Sequence, residues 1–448
     1  MIIFRTLPVA SSVTVLALAL IGVCATPMGW LVSESIFLNE ETRNADPFLA
    51  ETAEINRSPY RGVFLAEKEE ANYIRVFGFR VSGPRLVFHQ MVKPFKALFR
   101  GQATAREFLY FLIGSLWTLA VWSFIGIGIA RVCVLRLARN EQAGLDDAFE
   151  FAADKFVTCF AAVAMPLVAV FGLCIPAFII GLILGFDIGT ILVGVFWFVV
   201  LAISAIMGIL LLGLLFSWPL IVSSVATEGQ NSFDAMTRAY AYTFQRPIHY
   251  LFYLGIAVLF GGLCWLIAGG LTNGVINLSY WSTSWGANRI SANRIEVIKG
   301  NLSPHVRGIT TKEFISSPDA ESAPAGDVEA VAKEADEQGK PRMEEITVDD
   351  SEQDRSAVNL ERGRKFISFW EGMLKTVAAA FIHGLFWCMA TAIYLLLRRD
   401  VDETEMDEVY LVDERRTYDL PPLQSDADGI PQVQPLSNDS EDASGSEA

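Results

Sequence analysis

The sequence predicts an all-α, polytopic helical membrane protein of about six transmembrane helices, with two cytoplasmic amphipathic linker helices and a disordered acidic loop and tail. Three observations carry this. Hydrophobic residues are 52% of the 448 and mean hydropathy is +0.38, more apolar surface than one soluble domain of this length needs. The apolar residues gather into runs long enough to cross a hydrocarbon core of roughly 30 Å. The charge is segregated. Residues 400–448 hold 15 acids and 2 bases, and residues 313–361 hold 15 acids and 4 bases, so that these −24 charges, within a total of −15, leave +9 for the rest of the chain. A mildly basic body suits anionic lipid head groups, and the acidity belongs to a loop and a tail.

Residues 1–33 form an N-terminal membrane anchor. The run Val9–Val32 follows Arg5 and precedes Glu34, Glu40 and Glu41. Its length also fits a signal peptide, but Pro27 and Trp30 interrupt any small-x-small cleavage site. An extracytoplasmic loop, 34–107, follows. Its second half, Arg75–Arg106, has seven bases and no acid, interleaved with Phe77, Phe79, Val87, Phe88, Phe95, Leu98 and Phe99. That pattern suits a segment lying on head groups, and the alternative is a solvated loop with a hairpin around Ser82-Gly83-Pro84.

Residues 108–278 are expected to form a four-helix core of two span–amphipathic helix–span repeats. Phe108–Val134 is the second span, thinned at Gly114, Gly126 and Gly128 and closed by Arg131, Arg136 and Arg139. Val157–Phe186 is the third, with Pro166 and Pro176 as kinks. The apolar run after Asp187-Ile188-Gly189 reaches Val225, too long for one straight crossing, and predicts a tilted span bent near Trp218-Pro219. Ile248–Ile276 is the fifth, followed by the belt residues Tyr280, Trp281 and Trp285.

The two linkers are Leu145–Phe156 and the helix inside Ser217–Tyr250. In the latter, Asn231 or Ser232 caps the start, Asp234 sits in the first turn, Arg238 pairs with it at i+4, and Phe233, Met236, Tyr240 and Phe244 make the apolar face. Pro247 ends the helix near Gln245. Leu145, Ala148, Ala152 and Phe156 repeat this stripe at an offset of 88 residues. The bases in the short segments 131–156 and 225–247 place both helices, and both termini, in the cytoplasm.

Residues 279–365 are an extracytoplasmic loop whose part 316–353 is too acidic and too poor in apolar residues to order, residues 366–399 the sixth span, and residues 400–448 an acidic tail, disordered from 402 on.

Chemistry-bearing patterns are few. Cys24, Cys133, Cys159, Cys174, Cys264 and Cys388 stand singly in or beside apolar runs as packing residues. His89, His249, His305 and His383 have no partner at metal-binding spacing, and no nucleophile, phosphate-loop or paired-carboxylate motif lies in a span. The sixth span holds ionisable groups at depth: Glu371 and Lys375 one turn apart and His383 at the centre. No catalytic residue, cofactor or metal is assigned.

At Trp218-Pro219, Glu228-Gly229, Phe233-Asp234-Ala235, Arg238, Tyr242 and Arg246-Pro247, with Trp122, Gly126, Gly128 and Arg131 upstream, the chain resembles a group of uncharacterised multi-span proteins of planctomycete bacteria over residues 108–270. The resemblance implies architecture and carries no activity. The expected role is a non-catalytic scaffold or accessory subunit of the bacterial inner membrane, partnered by membrane lipids and by proteins through the acidic segments, with no nucleic acid. The alternative is a transporter or channel for a small solute or ion.

Overall fold

Two neighbouring helices exchange tryptophans. In this computed structural model, which describes residues 2–38, 46–60, 63, 74–76, 79–81, 83–100, 104–290, 350–411, 424–425 and 431–432, α1 (Thr6–Ala10) leads into α2 (Val13–Phe37), which packs along α5 (Ala105–Val134). The Trp30 ring lies over Gly114 so closely that a Cβ there would sit 2.2 Å from it, and the Trp117 ring lies over Gly29 at 2.0 Å by the same measure. Each glycine is the hole for the other helix's indole. Trp30 Nε1 donates to Thr118 Oγ1 at 3.0 Å, and Trp117 Nε1 donates to the Ala25 carbonyl at 3.0 Å. Val15, Leu18, Ala19, Val23 and Trp30 of α2 are buried.

Between α2 and α5 the chain makes α3 (Pro47–Asn56), a short antiparallel pair of β1 (Ile74–Val76) and β2 (Phe79–Val81), and α4 (Gly83–Leu98). The hairpin thus precedes Ser82-Gly83-Pro84, where the solvated-loop alternative put it, because Pro84 stands in the first turn of a helix. Asp46 caps α3, accepting from the Phe48 amide at 3.0 Å, and takes a second hydrogen bond from Arg100 Nη1 at 2.6 Å. The Arg100 hydrogen bond holds the Asp46 carboxyl below its usual value of 3.8. A lowered folded-state pKa gives stability that is present above the unfolded value and is lost as pH falls through the folded one. Acidifying from pH 5 to below 3.8 is therefore expected to lower the protection of the Phe48 amide against hydrogen exchange, taken relative to the intrinsic exchange rate at each pH, and Asp46→Asn to abolish that acid step.

Among the described residues six helices are long and apolar enough to cross a membrane: Val13–Phe37, Ala105–Arg139, Leu145–Leu184, Trp197–Glu228, Pro247–Ala287 and Val358–Asp402. In the last of these 94% of the most apolar stretch is buried, and in the second 78%, against 6% and 11% in the third and fourth. The sixth and second spans are thus the axis of the bundle, and the third and fourth its apolar rim. α5 opens on a capping box between Thr104 and Glu107 and widens at its end into a π turn, Leu135–Arg139, stopped by Asn140 at φ 58°.

Several expectations are corrected. Leu145–Phe156 does not stand apart from the third span. With no helix breaker between Phe156 and Val157, it forms the first turns of one continuous helix, α6 (Leu145–Leu184). The fourth run breaks at Phe196, between α7 (Asp187–Val195) and α8 (Trp197–Glu228), instead of near Trp218-Pro219. Pro219 stays inside α8, where the Ser223 hydroxyl donates to its carbonyl at 3.0 Å. The linker helix α9 (Ser232–Gln245) does end at Gln245, and α10 (Pro247–Ile290) starts on Pro247. Asn231 is its N-cap residue, without a side-chain bond. Its inward face is Ala235, Ala239, Tyr242 and Thr243, whereas Phe233 and Phe244 are at least half exposed. Arg238 pairs with Glu228 and Asp402 in place of Asp234.

The last helix, α11 (Asp350–Asp402), takes in residues 350–353, and residues 403–411 are folded back against the bundle, so both are withdrawn from the expected disorder. Residues 316–349, and nearly all of 412–448, lie outside the described residues, apart from the pairing of β3 (Gln424–Ser425) with β4 (Pro431–Gln432).

Candidate functional site

Charged and hydroxyl side chains converge at the end of the bundle where α5, α8 and α11 finish and α6, α9 and α10 begin. Glu228 is the last residue of α8, where the negative end of the helix dipole disfavours a carboxylate, and its side chain is only 8% exposed. Two cations and a phenol offset this. Tyr394 Oη donates to Glu228 Oε1 at 2.5 Å, Arg398 Nε stands 3.3 Å from the same oxygen, and Arg238 and Gln230 both donate to Oε2. The Arg398 Nε hydrogen lies off the line to Glu228, so that contact is Coulombic, while Arg398 Nη1 donates to the Glu408 carbonyl at 2.6 Å. Tyr242 donates to Asp402, which lies 3.8 Å from Arg238. Burial raises the Tyr242 phenol, and its bond to Asp402 adds to this. Burial alone would lower Arg238, but Glu228 raises it. Two carboxylates and two guanidiniums leave the cluster neutral.

The chain after α11 closes over this cluster. The Tyr410 amide donates to the Thr227 carbonyl at 2.8 Å, and its own carbonyl accepts from Arg131 Nη1 at 2.6 Å. Arg131, 5% exposed, also donates to the Ala226 carbonyl at 3.3 Å and lies over the Phe151 ring at 4.6 Å. The Tyr410 ring rests on Gly229, whose φ of +61° ends α8 and whose absent Cβ would meet that ring at 2.8 Å. Glycine is needed there on both counts. Lys155 Nζ sits 5.6 Å from the other ring contact, the Tyr410 centroid.

The ionisable residues noted in the sixth span have partners within the bundle. His383, 3% exposed, stacks on Trp122 at 5.0 Å and shares a hydrogen bond of 2.7 Å between Nδ1 and the Ala379 carbonyl. Glu371 and Lys375 pair at 3.5 Å, and Tyr280 donates to Glu371. His249 is at the exposed start of α10, away from His383, and His89 lies in α4. Among the described residues no group of three or more His, Cys, Asp or Glu is placed to hold a metal ion. All six cysteines are free, and Cys133 Sγ contacts the Cys388 carbonyl at 3.6 Å.

A second feature is apolar. A cavity of about 330 Å³ lies among α4, α5, α6 and α8, and another of about 200 Å³ among α4, α8, α10 and α11. Trp218 stands at the boundary, lining the first and packing against Phe88 at 6.0 Å and Phe386 at 5.5 Å, which both line the second.

Arg131, Glu228-Gly229, Arg238 and Tyr242 stand out singly in the sequence, but nothing there brings them together, and Glu228, Arg398 and Tyr410 are far apart in the chain. No family model, no curated protein and no solved structure matches the chain. The fold defines the class by itself: a multi-pass helical membrane protein of six spans.

Proposed function

We propose that this chain is a non-catalytic scaffold or accessory protein of the bacterial inner membrane, one that binds lipid and holds out the acidic C-terminal arm to a protein partner. One observation carries the reading: the charged groups buried at the Glu228 end are spent on fixing the point from which that arm departs. Arg131 and Arg398 each give a guanidinium hydrogen bond to the backbone of residues 408–410, and Gly229 seats Tyr410. A root held this firmly presents a flanking segment at a defined place on the membrane surface, which lowers the ordering cost of binding. The nine acids of residues 412–448, against two bases, suit a basic partner.

Purification in native lipid tests the reading. The intact chain is expected to carry a stable partner that is lost when residues 412–448 are removed and weakened by Arg131→Ala. If no partner is found, and the protein in liposomes moves protons or a solute in a manner abolished by His383→Ala, the chain is a transporter. A packing histidine, once truncated, lowers stability without removing transport selectively.

A further inference from the structure

We infer that the larger apolar cavity is a binding site for one hydrocarbon chain of an anionic phospholipid, with Lys96 at its rim holding the phosphate. The inference rests on the lipid-binding part of the function proposed above and names the ligand.

The walls decide the class of ligand. Met91 and Phe95 of α4, Leu119 and Trp122 of α5, and Leu211 and Leu215 of α8 are typical of the lining, which is almost wholly carbon. Water needs two to four polar partners to occupy a cavity, and here it would find almost none. A cavity of about 330 Å³ left empty would forfeit the packing of every group around it. From Gly208 to Trp218 the lining follows ten residues of α8, a length of roughly 15 Å at 1.5 Å per residue. Long and apolar describes an acyl chain.

The rim decides the head group. α4 and the turn after it bring three cations to this side of the molecule, and two are already matched: Lys93 to Glu51 at 3.1 Å and Arg100 to Asp46 at 2.6 Å. Lys96 lines the cavity mouth, is exposed and makes no ion pair among the described residues. An ammonium at the mouth of an apolar slot favours a phosphate that carries net negative charge over one neutralised by its own choline. Beside it Phe99 stacks on Phe171 at 6.4 Å.

The test uses the full-length protein, stripped of bulk lipid and then exposed to phosphatidylglycerol or phosphatidylcholine of the same chain length, with retained lipid read by native mass spectrometry and the unfolding midpoint read in parallel. The wild type is expected to retain one phosphatidylglycerol and to gain a higher midpoint from it. Lys96→Gln is expected to lower the preference for phosphatidylglycerol over phosphatidylcholine about fivefold, the effect of one lysine at an anionic surface. Gly208→Trp fills the cavity from a position whose Cβ meets nothing within 4 Å, so the fold tolerates it, and retention is lost. Leu215→Trp fills it from a second position. Retention that survives both tryptophan variants overturns the site, and equal retention of the two lipids by the wild type overturns the role of Lys96. Loss of lipid from Gly208→Trp with the protein partner still bound leaves the scaffold function standing. Loss of the partner in the arm deletion with lipid retained leaves the lipid site standing.

Discussion

Glu228→Ala is expected to destabilise the protein by ~3–5 kcal/mol, the cost of removing one partner from a buried ion pair. The side chains of Glu228 and Arg398 are 8% and 9% exposed, so Arg398 has no water to turn to when the carboxylate is gone. Arg238, at 37%, does. Tyr394 loses the acceptor of its 2.5 Å hydrogen bond in the same step, leaving the one to Ser224 at 3.1 Å. Glu228→Gln keeps an oxygen for Tyr394 and is expected to lose less. The double variant Glu228→Ala with Arg398→Met removes the stranded charge and should be more stable than Glu228→Ala alone, even though the bond to the Glu408 carbonyl is lost with it. Unfolding of the three variants in one mixed-micelle condition measures this. A double variant weaker than Glu228→Ala would mean that the pair itself is not the source of the loss.

Gly114→Ala is expected to cost far more than Gly29→Ala, although both put a methyl group into an indole. At Gly114 the new Cβ would lie 2.2 Å from Trp30, which is 2% exposed and tied through Nε1 to Thr118. Trp30 has nowhere to go, so α2 and α5 must separate, at the upper end of the ~1–3 kcal/mol typical of overpacking. At Gly29 the clash is with Trp117, which is 42% exposed and can swing outward for the loss of one hydrogen bond to the Ala25 carbonyl, ~1 kcal/mol. Unfolding measurements on the two single variants check the order. Equal losses would show that the indole pair moves as one unit.

These residues also mark how far the sequence could be read. Span number and rough limits were legible because each depends on composition within one window, and Pro247 was legible because a missing amide hydrogen acts on its own turn. Facing was not. In α9 the large residues Phe233 and Phe244 point out while Ala235 and Ala239 are fully buried, since a close helix contact needs a small side chain. The buried alanines Ala148 and Ala152 precede Ala235 and Ala239 by 87 residues, so the offset of 88 read from the large residues turns the face by one position, about 100° round a helix. The candidate site was illegible for a different reason. Arg131 and Tyr410 meet across 279 positions, and no periodicity links them. Its pieces, among them Glu228-Gly229, Arg238 and Tyr242, were visible one at a time.

The fastening of Tyr410 by Arg131 also fixes an order of events during biosynthesis. The guanidinium emerges from the ribosome 279 residues before the carbonyl that will accept from it. At roughly 5–20 residues per second, that interval lasts roughly 14–56 s. All six spans have been made by then, and Arg131 still lacks the acceptor supplied by the segment that follows the last one. The latch therefore closes only on a chain translated beyond Tyr410, and a product truncated inside α11 leaves that end of the bundle open for quality-control proteases to find.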